Sequence, residues 1–186
     1  MSQHSTDSEK PNLVIAGASG FVGRALIPIL AKRFHIIGLS RHEKSDSSEI
    51  TWRKTNLFSL LETEKAVHGA KFAIYLVHSM QPAELTQASF RDIDWILADN
   101  FSRACEQAGV EQIIYLGGLI PPEQTLSEHL ASRLEVARTL SSRSASLTAL
   151  QAGLIIGAGG SSFRIMLKLV QRLPVMICPS WTQSMT

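Results

Sequence analysis

Leu13-Val14-Ile15-Ala16-Gly17-Ala18-Ser19-Gly20-Phe21-Val22-Gly23, followed by Arg24-Ala25-Leu26, decides the fold. A short apolar, β-branched run leads into glycines at positions 17, 20 and 23, and a helical pattern begins among them. Strand, glycine turn and helix in that order meet the needs of a dinucleotide pyrophosphate. The first glycine makes the tight turn, the second lets backbone approach the phosphates, and the third lets helix and strand pack closely. The helix N-terminus then offers free N–H groups and a positive dipole end. Gly17, Ser19, Gly20, Phe21, Val22 and Gly23 are therefore the expected phosphate cradle. The spacing is G-x-x-G-x-x-G rather than G-x-G-x-x-G, and the alternative is a glycine-rich turn that binds nothing.

Outward from that turn, apolar runs alternate with helical patterns. Strands are expected at Asn12 to Ala16, Phe34 to Leu39, Ile50 to Lys54, Lys71 to Val77, Val110 to Leu116 and Leu147 to Leu150, with Leu154-Ile155-Ile156 extended beyond the last. The Lys71 to Val77 run is continuously apolar, as in a strand buried on both faces. Helices are expected from Gly20 to Arg33, Ser59 to His68, Leu85 to Ala108, Ser127 to Ser142 and Phe163 to Leu173. Phe21, Leu26, Ile29 and Leu30 form the apolar face of the first, and Pro28 within it predicts a kink or an already missing hydrogen bond. In the long helix, Phe90, Ile93, Leu97, Phe101, Ala104 and Ala108 recur at helical spacing, with Asp94 and Asn100 off that stripe, facing solvent or a neighbouring loop. Six strands alternating with helices make an α/β, three-layer αβα, Rossmann-like doubly wound parallel sheet.

Composition narrows the class. The chain has 186 residues, 45% hydrophobic, with net charge +2 and no basic block, so nothing argues for nucleic acid. The separated Cys105 and Cys178 are expected to be buried thiols of a reducing compartment, neither a disulfide nor a metal site. The polar opening is a tail and not a signal peptide, and no apolar run spans a bilayer. A cytoplasmic protein with no membrane partner and a capacity to self-associate is expected. The domain reading is a polar tail over residues 1–11, a dinucleotide-binding domain over 12–173, and the start of a short or truncated substrate-side region over 174–186.

GASGFVGRAL at 17–26, LSR at 39–41, YLVHSM at 75–80, EQAGV at 106–110, IIYLGGL at 113–119, SEHLASRLEV at 127–136, LTALQAGLIIGAGGSSF at 147–163 and LVQRLPVMICPSW at 169–181 occur in order. Together they resemble the atypical branch of the short-chain dehydrogenase/reductase superfamily, close to the NAD(P)H-binding NmrA-like proteins, over about residues 12–181. The resemblance implies an NAD(P)H-dependent oxidoreductase fold and a Tyr-x-x-x-Lys pair on the helix after the fifth strand, with a Ser at that strand's end. Here His129 and Arg133 occupy the pair's positions and Gly117-Gly118 the serine's. His129 is a candidate acid/base, and Arg133 can hold a ribose but cannot act as a base. Ser40 and Arg41, with no acid before Glu43, predict NADP in preference to NAD. Val77, His78 and Ser79 fall at the rim where the nicotinamide is expected. Two functions follow: a reductase-like protein moving hydride to a small carbonyl substrate, or a non-catalytic NAD(P)H sensor that lacks the Tyr-x-x-x-Lys pair.

Overall fold

The structure, a computed structural model, describes residues 10–78, 90–120, 127–157 and 159–172. In chain order the elements are β1 (Asn12–Ala16), α1 (Phe21–Leu30), β2 (His35–Ser40), β3 (Thr51–Lys54), α2 (Leu60–Val67), β4 (Phe72–Tyr75), α3 (Phe90–Ala108), β5 (Gln112–Gly118), α4 (Glu128–Leu140), β6 (Ser146–Ala152) and α5 (Ser161–Arg172). The chain divides into two compact units, the first ending at Ala152 and the second starting at Gly153. The second holds the α5 helix, whose Ile165, Leu167, Leu169 and Val170 are exposed.

The first unit is built on a six-stranded, all-parallel sheet in the order β3-β2-β1-β4-β5-β6. The chain winds outward from β1 through β2 to β3, then returns to β4 and winds the other way. The order thus reverses between β1 and β4, which opens a crevice beyond their carboxyl ends. Alternation along β1 assigns its side chains to two cores. Val14 and Ala16 pack with Ala66 and Val67 of α2, Phe101 and Ala104 of α3, and Val136 and Leu140 of α4. Leu13 and Ile15 point to the opposite face, with Ile27 of α1, Ile36, Ile50 and Ile74. This is the expected doubly wound α/β arrangement.

The differences lie at element ends. The α1 helix stops at Leu30 rather than Arg33, two residues after Pro28, whose missing N–H removes one bond near a terminus that was about to end. Its inward positions are Gly23 and Ile27, so Ile29, about 200° further round the helix, is 63% exposed and not part of the apolar face. Leu154-Ile155-Ile156, expected to be extended beyond the last strand, lies past the end of the β5–β6 pairing at Gly118 and Ala152. Ser59 caps α2 by accepting from the Glu62 N–H at 3.3 Å, while Glu62 accepts from the Asn56 N–H at 2.9 Å. Gly69 and Gly109 close α2 and α3 with φ of +77° and +71°. Cys105 is a buried free thiol that burial pushes up to about 12. Cys178, Ser79, Pro121-Pro122 and residues 173–186 lie outside the described residues. Among the described residues no helix is long and apolar enough to cross a membrane, and no three His, Cys, Asp or Glu gather as metal ligands.

Candidate dinucleotide site

The glycine turn sits at the head of the β1/β4 crevice. Gly17 has φ +88°, a left-handed conformation that a side chain disfavours, and its carbonyl accepts from the Gly20 N–H at 2.9 Å. A Cβ on Gly17 would lie 3.0 Å from Leu76 Cβ and 3.1 Å from its carbonyl carbon, so the turn presses against the end of β4. A Cβ on Gly23 would come within 2.5 Å of the Gly17 oxygen and 2.6 Å of Ala18 Cα, so α1 meets the turn backbone to backbone. Gly20 caps α1 with no side-chain hydrogen bond, and the first turn holds no acid. The N–H groups of Phe21, Val22 and Gly23 therefore face an anion's position unoccupied by any side chain of their own. Ser19 and Gly20 are exposed, Phe21 and Val22 half-buried. A pyrophosphate fits this cradle, which any Cβ at Gly20 would narrow.

At the end of β2, the buried Ser40 hydroxyl accepts from the His42 N–H at 3.3 Å, which turns the chain and leaves its own proton free to donate. Arg41 is exposed beside it. Glu43, the first acid after the strand, is paired with Lys54 at 3.4 Å, and Lys44 lies 5.1 Å above the Trp52 ring. The surroundings of β2's carboxyl end are thus rich in cations.

The third part of the site is the rim formed by β4, β5, α3 and α4. Tyr75 and Tyr115 face each other across the β4–β5 pair, ring centroids 6.2 Å apart, and both are buried. The Tyr115 phenol donates to the Arg133 carbonyl at 3.3 Å. Burial pushes that phenol up while the Arg133 charge and a hydrogen bond with its side chain pull against it. Burial, then the charge of Asp94, also pushes Tyr75 up. Arg133 is buried and His129, one turn earlier on α4, is exposed. Val77 is half-buried and His78 reaches the exposed rim. Desolvation of the His78 imidazole, then the Arg133 charge, hold it below its usual range. A backbone hydrogen bond at Leu76 and the Asp94 charge oppose the shift, and His129 adds repulsion. The charges of Arg133 and His129, both on α4, thus reach His78 at the end of β4.

Asp94 departs from the sequence reading. It is buried, and it accepts from the Ser132 hydroxyl at 3.2 Å, joining α3 to α4. The buried side of α3 takes in 94, 97, 98, 101, 102, 104 and 105, a wider stripe than the apolar residues alone mark. Asn100 does bond a neighbouring loop, donating to the Leu57 and Phe58 carbonyls at 2.9 and 3.1 Å. Sequence reasoning misplaced Asp94 and passed over Ser132 and Tyr115. The available signal was the spacing of Asp94 four residues before Ala98 and seven before Phe101.

A family model for NAD(P)H-binding proteins matches residues 17–152, from the first glycine of the turn to the end of β6. The chain belongs to the NAD(P)H-binding family. It is 29% identical over 113 residues to the auxiliary protein GraX of Staphylococcus aureus (strain NCTC 8325 / PS 47), a match covering 59% of this chain and 37% of that protein. The chain thus spans little more than a third of that relative's length. Among solved structures, WbmG of Bordetella bronchiseptica in complex with NAD superposes with a TM-score of 0.73 at 12% identity, covering 90% of this chain and 61% of that one. The oxidoreductase ylbE of Lactococcus lactis gives 0.65 at 18%, over 81% and 72%. The UDP-N-acetylglucosamine 4-epimerase of Bacillus cereus gives 0.61 at 14%, over 76% and 53%. These likenesses show the Rossmann-like fold.

Proposed function

We propose that this protein binds NADPH in the β1/β4 crevice and uses it to reduce a small carbonyl-type substrate. The observation that carries the reading is the glycine cradle, where backbone meets backbone at Gly23 and the first turn of α1 presents uncapped N–H groups. Gly17 and Ser19 to Gly23 hold the pyrophosphate, while Ser40 and Arg41 take the adenosine 2′-phosphate. Val77 and His78 line the nicotinamide end. Bound there, the cofactor supplies the hydride. His129, exposed at the rim, donates a proton to the substrate oxygen, and buried Arg133 provides the fixed positive charge that the Tyr-x-x-x-Lys pair otherwise supplies.

A second reading, an NAD(P)H-sensing module without turnover, draws on one observation. The Tyr115 phenol is committed to the Arg133 backbone, and Gly117-Gly118 puts no hydroxyl where the short-chain pattern has a serine. The relative GraX is named an auxiliary protein. Calorimetric NADPH titration together with NADPH oxidation across a panel of aldehydes, ketones, oxo acids and quinones decides between the two. Tight binding with turnover that falls about 10²–10⁴-fold in His129→Phe is the reductase result. Tight binding with a silent panel is the sensor result, and no binding removes both.

A further inference from the structure

Within the first unit, the rim beyond β4 and β5 combines features of a kind that the glycine cradle does not use. Arg133 keeps its charge at any working pH, is only 8% exposed, and among the described residues has no carboxylate within ion-pair distance. Its side chain is hydrogen-bonded to a neutral phenol, Tyr115. Asp94, the carboxylate whose charge reaches this rim, already accepts from Ser132 at 3.2 Å. One helical turn away, His129 shares the Arg133 face of α4, since residues four apart stack on one side of a helix. Across the gap, His78 follows the end of β4 and senses both of them. The charges of two basic groups on α4 thus reach a third at the end of β4, and burial is costly for a guanidinium that, among the described residues, has no anion to fork onto.

We propose that this rim is a carboxylate site and that the substrate class is a small 2-oxo acid, its carboxylate forked on Arg133 and flanked by His78, its carbonyl oxygen within reach of His129. The inference rests on the reductase reading above and names its substrate. Bound in the cradle, NADPH would supply hydride to the carbonyl carbon; as the C=O π bond breaks, the oxygen takes the proton of His129. The products are NADP⁺ and a 2-hydroxy acid, with His129 left neutral to regain its proton from water. A carboxylate at the rim also reverses the local charge balance. Among the described residues, the groups acting on His78 are Arg133 and His129 from α4, Asp94 from α3 and the backbone at Leu76. An added anion counters the two repulsive ones, so His78 protonates more readily in the complex.

The test uses oxamate, an unreactive carboxylate of 2-oxo acid shape, with neutral oxamide as control. Both are titrated into the full chain, with and without saturating NADPH, by calorimetry and by histidine-resolved NMR. Oxamate is expected to bind saturably in both states, about tenfold more tightly at about pH 5.5 than at about pH 7.5, with the His78 resonance titrating at higher pH in the complex. Oxamide is expected not to bind. Arg133→Met should weaken oxamate at least about 100-fold and Arg133→Lys should restore part of the affinity. Because Arg133 is buried, His78→Gln at the exposed rim serves as a second variant, expected to reduce the pH dependence, with the remainder carried by His129, while leaving the protein folded. No saturable oxamate binding, equal binding of oxamide, or displacement of oxamate by NADPH overturns the proposal. Loss of NADPH binding alone, with oxamate still held through Arg133, overturns the reductase reading and leaves the carboxylate site standing.

Discussion

Replacing Gly23 with alanine separates the packing role of the glycine turn from its binding role. The new methyl would sit 2.5 Å from the Gly17 oxygen, 2.6 Å from Ala18 Cα and 2.7 Å from the Ala18 oxygen. All three are backbone atoms of a turn pressed on Leu76, so no side chain can swing aside. A comfortable contact needs about 3.5 Å, so α1 must retreat by roughly 1 Å. That motion draws Ile27, 7% exposed, away from Leu13 and Ile15. Overpacking of this kind costs about 1–3 kcal/mol, which for a chain of this size lowers Tm by roughly 3–10 °C. The same retreat moves the first-turn N–H groups from the pyrophosphate. Losing one charge-assisted hydrogen bond weakens NADPH by about 10- to 100-fold. Gly20→Ala is the matched control. Its Cβ meets only the Gly17 oxygen at 3.1 Å, and its φ of −73° suits any residue. It should hold stability within about 1 kcal/mol while its methyl blocks the phosphate approach. Scanning calorimetry gives Tm and titration calorimetry gives Kd. Gly23→Ala with unchanged Tm and unchanged Kd would refute the backbone-contact reasoning, and Gly20→Ala binding NADPH as tightly as the parent would remove the phosphates from this turn.

Three further outcomes are expected. Arg41→Ala should weaken NADPH by about 10- to 100-fold and NADH hardly at all, an effect that shrinks at high salt because Arg41 is exposed; parent affinities equal for the two dinucleotides would count against it. Ser132→Ala leaves the buried Asp94 carboxylate short of a donor and should cost about 1.5–3 kcal/mol in urea unfolding, whereas a change below about 0.5 kcal/mol would show that the α3–α4 link is incidental. His78 titrates below its usual range in the folded chain, so between that lowered value and about 6.5 the unfolded chain binds the extra proton; stability should fall as pH drops through this window, and His78→Gln should flatten that slope.

What the sequence makes legible here follows from how local each signal is. The β1 run and its glycines can be read directly, because burial on both faces demands unbroken apolar residues and the turn demands positions without a Cβ. Ser59 and Ser127 likewise mark their helix starts, since each cap is satisfied three residues away. Helix α1 is harder: Pro28 fits an amphipathic pattern that, by periodicity alone, runs on to Arg33. Asp94 is harder still. Buried, it accepts from Ser132, 38 residues later and on another helix, and a pattern confined to α3 cannot reveal a partner supplied by α4. His129 and Arg133 stand out only through the resemblance to the Tyr-x-x-x-Lys pattern, and the Tyr115 phenol bonded to Arg133 does not, because it depends on the register of β5 against the helix that covers it.

That phenol explains why the departures from the short-chain pattern belong together. Tyr115 and Gly117 point to the same side of β5, and a Cβ on Gly117 would lie 3.0 Å from Tyr115 Cε1 and 3.5 Å from Cζ. The ring is buried against Tyr75, so a serine at 117 must push it by a few tenths of an ångström. The phenol's bond to the Arg133 carbonyl is already 3.3 Å long, and that push takes it beyond useful length. A hydroxyl at 117 and the Tyr115–Arg133 contact therefore exclude each other. Rebuilding the short-chain pattern one residue at a time should fail: Gly117→Ser alone should lose about 1–3 kcal/mol through overpacking and the stranded phenol. Adding Tyr115→Leu removes both the crowding ring and its hydroxyl, and the double variant should be more stable than Gly117→Ser alone. Strict additivity of the two single changes in urea unfolding would show that Gly117 and Tyr115 are independent and that the missing serine has some other cause.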